Sequence, residues 1–139
     1  MKKVTSNFLK KHNACSDGFK WWKENCKNLT TEEQLQKLLN YRADWASWLM
    51  VRLLPRKDKI RYAVFAAEQV IEIYEKKYPH DKRPREAIEA SKKVIERDSQ
   101  KNAASNAAAY AASYAANAAY AACKKIQVKI IEFGISLLK

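Results

Sequence analysis

Residues 103–122 read AASNAAAYAASYAANAAYAA, and this stretch decides the fold class. Thirteen of its twenty residues are Ala, the strongest helix former, so the stretch predicts one long helix. The whole chain of 139 residues contains only two Gly and three Pro, which leaves few positions that interrupt helices. No segment shows the alternation typical of strands. We therefore expect an all-α fold with a single domain over residues 1–139, a compact bundle of about six to eight helices around the Ala-rich helix.

The residues other than Ala in this stretch form a pattern of their own. Steps of three and four residues place one set of them in a single stripe: Asn106, Tyr110, Ser113, Asn117, Tyr120 and Lys124. Three interpretations are open. The helix is central and packs its tyrosine rings, including Tyr114, against neighbours; or the stripe is a recognition surface of Tyr, Asn and Ser; or the helix binds ice. The remaining helical segments argue against ice binding, because that activity needs no surrounding domain.

The segments before the Ala-rich stretch carry start and stop signals for further helices. Thr30 and Glu33 fit a capping box, ahead of an apolar face at Leu35, Leu38 and Leu39. Asp44 and Asp58 are candidate caps of the next two helices. We expect the second of these to run unbroken to about residue 77. Its predicted inner face comprises Ile60, Val64, Ala67, Ile71, Tyr74 and Tyr78. The last predicted helix covers residues 124–138.

The residue types that carry catalysis and metal binding are sparse. His12 and His80 have no partner at a spacing typical of a triad or a metal site. The three cysteines are too far apart for a zinc site, and we expect them to be reduced, small and buried. No signal peptide or membrane-spanning segment is recognisable. We therefore expect a cytoplasmic protein that is not an enzyme and needs neither a cofactor nor a metal.

The chain is basic, with a formal net charge of +12. Residues 1–30 contribute +5 and residues 101–139 contribute +4, so the excess lies towards the ends. A diffuse excess of this kind attracts polyanions weakly. One group, comprising Arg52, Arg56, Lys57, Lys59 and Arg61, lies beside Trp45 and Trp48. Aromatic and basic residues together can hold single-stranded nucleic acid, although the spacing of the two Trp residues favours core packing.

A second polar cluster surrounds the turn between Pro79 and Pro84, hereafter the polar turn. It is dense in charge: Lys76, Lys77, His80, Asp81, Lys82, Arg83, Arg85 and Glu86. Arginine forks suit carboxylate or phosphate on a partner. The same residues can instead pair with each other and hold helix ends together, an alternative that we favour slightly for Asp44 and Arg83.

Four segments in chain order resemble the Imm-5-like family of immunity proteins. They are ACSDGFKWW at 14–22, RADWASWL at 42–49, KIRYAVFAAE at 59–68 and DKRPREAIEA at 81–90. An Ala-rich helix then follows, as it does in that family. The resemblance covers most of the chain, and the last of the four segments is its most specific part.

The resemblance implies a helical domain that binds and neutralises a toxin, or another protein of bacterial or phage conflict, by occluding its surface. It implies no catalytic residues. Because the chain is basic, mimicry of DNA is disfavoured, and we expect an acidic or neutral contact surface on the protein partner. The predicted partner-binding residues are Asp44, Arg61, Asp81, Arg83, Arg85, Glu86, Tyr110 and Tyr114. The alternative is a nucleic-acid-associated accessory protein, such as one encoded by a phage.

Overall fold

A computed structural model describes residues 3–97 and 124–139 of the chain. All regular structure in these two ranges is helical, so the all-α prediction is confirmed. Eight helices follow one another in the described residues: α1 (Ser6–Lys11), α2 (Ser16–Asn25), α3 (Thr31–Tyr41), α4 (Ala43–Leu53), α5 (Arg56–Glu68), α6 (Ile71–Lys77), α7 (Arg83–Arg97) and α8 (Lys124–Leu137). The Ala-rich stretch 103–122, with Tyr110 and Tyr114, lies outside the described residues.

The C-terminal helix α8 lies at the centre of the described fold. It packs against α3, α4 and α5, while α3 packs against α4 and α7 packs against α5. Leu35, Leu49, Met50 and Ile131 are almost completely buried where these helices meet. The predicted inner residues Leu38 and Leu39 of α3 are buried as well. The core therefore forms from apolar faces that are far apart in the sequence.

Of the helix starts predicted from capping residues, the one at Thr30 is confirmed, and those at Asp44 and Asp58 are wrong. The Thr30–Glu33 capping box is present, with the Thr30 hydroxyl accepting from the Glu33 amide and the Glu33 carboxylate accepting from the Thr30 amide. The predicted cap at Asp44 is wrong, because α4 already begins at Ala43 and its N-cap, Arg42, makes no side-chain cap bond. Asp58 is also not a cap, since Pro55 precedes the first residue of α5.

The long helix expected to run to residue 77 is two helices, α5 and α6. The chain leaves the helical path at Gln69 and Val70, where φ at Val70 is −125°. Neither Gly nor Pro lies at this break; instead the bend buries both Val70 and the following Ile71. Because α6 changes direction, Tyr78 does not continue the inner face as predicted, and 46% of it is exposed.

Candidate protein-binding surface

Asp81 organises the polar turn between α6 and α7. Its carboxylate accepts hydrogen bonds from the Tyr74 hydroxyl at 2.8 Å and from the Arg83 backbone amide at 3.1 Å. The Arg83 guanidinium adds two more, Nε to Oδ1 and Nη2 to Oδ2, each at 2.8 Å. Four donors on one carboxylate hold the pKa of Asp81 well below its usual range, mainly through the Arg83 guanidinium and then Tyr74. Asp81 is therefore ionised at any physiological pH.

A second arginine fork joins α6 to α7. Arg85 donates from Nε to Glu75 Oε1 and, over 2.6 Å, from Nη2 to Glu75 Oε2. The Arg85 guanidinium keeps the pKa of Glu75 below its ordinary value, and Glu75 in turn raises the pKa of Arg85. Because the two residues are ten positions apart, this pair links α6 to α7, whereas the Asp81–Arg83 pair lies within the turn and the start of α7.

The outer side of this junction is exposed and carries both charged and apolar residues. The Arg83 side chain is 84% exposed although Asp81 fixes its guanidinium. Ile73 is 61% exposed and Tyr78 46% exposed, while Arg85 and Glu86 are exposed on α7. We refer to these residues, Ile73, Tyr78, Arg83, Arg85 and Glu86, as the α6–α7 surface.

Ile73 and Tyr78 were absent from the predicted site. The sequence contained a signal for Ile73, because it falls off the stripe that Ile60, Val64, Ala67 and Ile71 form. Tyr78 gave no such signal, since its exposure follows from the break at Val70. Tyr is enriched in protein interfaces, and an exposed Ile adds apolar area that a partner can cover.

Two predicted site residues lie on other elements. Asp44, in the first turn of α4, accepts from Arg42 Nε at 3.1 Å and from Arg42 Nη2 at 2.6 Å. Arg61 of α5 donates to Asp58 at 3.1 Å, one turn earlier on the same helix. The structure thus brings four predicted residues together at one junction: Asp81, Arg83, Arg85 and Glu86. Asp44 and Arg61 lie elsewhere, and each pairs with a residue two or three positions away.

Arg52, one residue of the basic group beside the Trp residues, is less available than the sequence suggests, whereas the other four are exposed. Arg52 is half-buried, with its guanidinium carbon 3.8 Å from the centroid of the Trp48 ring, and it donates to the Trp48 carbonyl at 2.9 Å. Desolvation by this packing lowers the pKa of Arg52. Trp45 and Trp48 are half-buried and pack at the edge of the core rather than inside it.

The other chemically active residue types are scattered. The His12 ring packs against Phe8 with centroids 4.5 Å apart, and His80 is exposed on the polar turn. Cys26 is buried, as expected, and burial raises the pKa of its thiol; Cys15 is exposed, contrary to expectation. Across residues 3–97 and 124–139, no three His, Cys, Asp or Glu side chains are grouped in a way that could hold a metal ion.

The family model described as "Imm-5 like putative immunity protein" matches residues 50–131, more than half of the chain. The chain belongs to this Imm-5 like family. Within the Imm-5 like match lie all of α5, α6 and α7, and hence the α6–α7 surface, whereas α1 to α3 precede it. No curated protein and no solved structure matches this Imm-5 like sequence. Among the described residues, every helix falls short of the length and apolar content that crossing a membrane requires.

Proposed function

We propose that this protein is a cytoplasmic immunity protein that neutralises a toxin by binding it through the α6–α7 surface and occluding it. Family membership supports the general role. The observation that carries the choice of surface is Arg83: 84% of its side chain is exposed, yet two hydrogen bonds to Asp81 fix the guanidinium. An arginine with a fixed guanidinium loses little conformational entropy when it pairs with a carboxylate on a partner.

The neighbouring residues supply apolar contact area, which a charged group alone lacks. Ile73 and Tyr78 offer exposed apolar area on and just after α6. The Tyr78 ring packs on Tyr74, whose hydroxyl donates to the Asp81 carboxylate that holds Arg83. Interface energy concentrates in Tyr and Arg residues that become desolvated on binding. The proposed partner surface is acidic or neutral, with an apolar patch that receives Tyr78. Occlusion of this kind needs no reaction at the bound surface, so the proposed role is inhibition by binding.

Association with nucleic acid is the second candidate, and the net charge of +12 is the observation that favours it. Phosphate contacts make binding strongly dependent on salt, because each releases counterions. Arg52 and Arg61, two of the five residues in the basic group of α4 and α5, already make contacts within the chain. A salt titration with DNA and with RNA distinguishes the candidates: a steep loss of affinity with rising salt, for a protein that captures no toxin, would favour this second role.

The first experiment is affinity capture from the native host with mass spectrometry, followed by binding and inhibition assays with the purified captured protein. Tyr78→Ala and Arg83→Glu should each weaken binding about tenfold or more, as expected for residues at the centre of an interface. Arg56→Glu is the matched control, because Arg56 is an exposed arginine at the start of α5 and the charge change is the same. Toxin inhibition that Arg83→Glu abolishes and Arg56→Glu retains supports the proposal. Recovery of nucleic acid alone, or equal binding by all variants, contradicts it.

A further inference from the structure

The first four helices line a cavity that is partly open to solvent and that the α6–α7 surface does not touch. Its volume is about 430 Å³, within the range of sites that hold small molecules. The floor is formed by Leu9, Trp22, Leu38 and Leu49, each at most 5% exposed. Trp45 and Trp48 from α4 line it as well, with Cys15 and Asp44. Residues from α1, α2, α3 and α4 therefore contribute to one concave site.

The indole rings around this cavity are held in place by residues that do not themselves line it. Trp22 Nε1 donates to the buried Gln34 Oε1 at 2.7 Å, and Gln34 Nε2 donates to the Leu29 carbonyl at 2.9 Å. Guanidinium groups pack over the other two rings, Arg42 at 4.6 Å from Trp45 and Arg52 at 3.8 Å from Trp48. The walls are thus rigid aromatic rings, and such rings pack favourably against another flat aromatic ring.

Asp44 is the acidic residue among those that line the cavity. Arg42 donates two hydrogen bonds to its carboxylate, and a carboxylate can accept roughly four. The remaining acceptor capacity at the lining suits an N–H or O–H donor on a molecule whose apolar part fills the space between the indoles. A few convergent polar groups on apolar walls are typical of small-molecule sites.

We propose that this cavity binds a small aromatic molecule of one or two fused rings, which donates an N–H or O–H hydrogen bond to Asp44. The site is independent of the toxin-binding proposal, because it involves different residues and lies in the part of the chain that precedes the family match. Asp44, chosen from the sequence as a residue that contacts a partner, becomes the polar anchor of this ligand.

The probe for the first experiment is 5-fluoroindole, followed by fluorine NMR and calorimetry on the full chain. We expect a dissociation constant of about 1 mM or tighter, which is reasonable for a ligand of this size. N-methyl-5-fluoroindole, which has no N–H donor, should bind about fivefold or more weakly, because a hydrogen bond to a charged acceptor is among the stronger ones. No binding of 5-fluoroindole at several times that concentration would overturn the proposal.

Two pairs of variants test where the ligand binds and whether Asp44 is its polar anchor. Ala14→Trp places a large ring at a position that lines the cavity and should abolish binding, whereas Asn28→Trp, at an exposed turn, should leave it unchanged. Asp44→Asn should remove the preference for the N–H probe over the N-methyl probe. Asp58→Asn should keep that preference, because Asp58 is likewise paired with an arginine near the start of a helix but does not line the cavity. A preference that survives in Asp44→Asn overturns the assignment of the anchor.

Cys15 provides a measurement that does not depend on how well the variants fold. Its exposed thiol lies at the cavity, so bound 5-fluoroindole should slow its alkylation by N-ethylmaleimide in the unmodified protein, with the adduct located by peptide mass spectrometry. Protection of Cys15 that follows the NMR titration supports the site even if Ala14→Trp is unfolded by circular dichroism. An alkylation rate unchanged at saturating probe overturns it.

Discussion

The two glycines of the chain lie in regions that are packed in opposite ways. A Cβ added at Gly134 of α8 would approach Met50 Sδ to 2.7 Å and Tyr62 Cε2 to 2.8 Å. A Cβ added at Gly18 of α2 would lie 3.1 Å from Cys15 Sγ and 3.7 Å from the Trp45 ring, beside a cavity of about 430 Å³. The core among α4, α5 and α8 has no room for one methyl group unless Met50 and Tyr62 move, while the bundle of α1 to α4 has room for a ligand.

The difference follows from the side chains that each region uses. Around Gly134 the neighbours include Met50, a flexible side chain that adapts to irregular space, and Phe65 and Phe133, stacked with centroids 4.1 Å apart. Around the cavity three of the lining side chains are indoles, which are rigid and cannot bend into the remaining volume. Concave sites of this volume, with a few polar groups on apolar walls, are typical of ligand pockets, so the cavity is informative about function.

The largest expected effect on stability is at Gly134, in the tightly packed core. Gly134→Ala should lower the free energy of unfolding by about 2 kcal/mol, because overpacking outweighs the gain in helix propensity. Urea denaturation monitored by circular dichroism measures it. An unchanged midpoint would mean that α8 can shift away from Met50 and Tyr62, and that the core is looser than the geometry indicates.

A somewhat smaller effect on stability is expected at Gln34, whose side-chain oxygen accepts a hydrogen bond from Trp22 Nε1. Gln34→Leu leaves the buried Trp22 N–H without its acceptor and should lower the free energy of unfolding by about 1–2 kcal/mol. Gln36→Leu, an exposed position on the same helix, is the control. The double variant Trp22→Phe/Gln34→Leu should recover part of the loss, because both partners are then apolar. A loss that is purely additive in the double variant would contradict this account.

Tyr62 offers a pH-dependent test of the core. Its hydroxyl is buried near Ser47 without hydrogen-bond geometry in the described residues, and burial raises the pKa of Tyr62 to about 12. Because this pKa lies above the unfolded value, its contribution to stability is present below about pH 10 and is lost as the pH rises towards 12.

Tyr62→Phe should therefore change stability by less than about 1 kcal/mol at neutral pH and remove part of the alkaline loss. Urea titrations at pH 7, 10 and 11.5 measure both effects, with Tyr41→Phe, an exposed tyrosine, as the control. Identical alkaline slopes for Tyr62→Phe and the unmodified protein would show that the Tyr62 hydroxyl is solvated.

The smallest effect on stability is expected at Gly18, beside the cavity. Gly18→Ala should change the free energy of unfolding by less than about 0.5 kcal/mol, since the gain in helix propensity offsets one close contact with the Cys15 thiol. Thermal unfolding alongside Gly134→Ala measures the contrast between the two glycines. Equal destabilisation of both variants would remove the basis of the comparison.

Much of the candidate protein-binding surface was visible in the sequence, and the reason is local. Asp81 and Arg83 are two residues apart, so their pairing requires only a turn, and Pro84 indicates where the next helix starts. Glu75 and Arg85 are ten residues apart, and no periodicity predicts that they meet. The exposure of Tyr78 depends on the bend at Val70, where no Gly or Pro marks the end of the helix.

The sequence by itself determined that the described residues are helical, that α3 begins at its Thr30–Glu33 capping box, and which helix faces are apolar. These properties depend on backbone hydrogen bonds and side-chain neighbours within about four residues. Only the tertiary structure decided that Gly134 lets α8 approach α4 and α5, that Asp44 lies at an aromatic cavity, and that Arg83 is held in place while exposed. Those outcomes depend on how the surfaces of separate helices fit together, and steric fit between distant segments is not encoded in any local pattern.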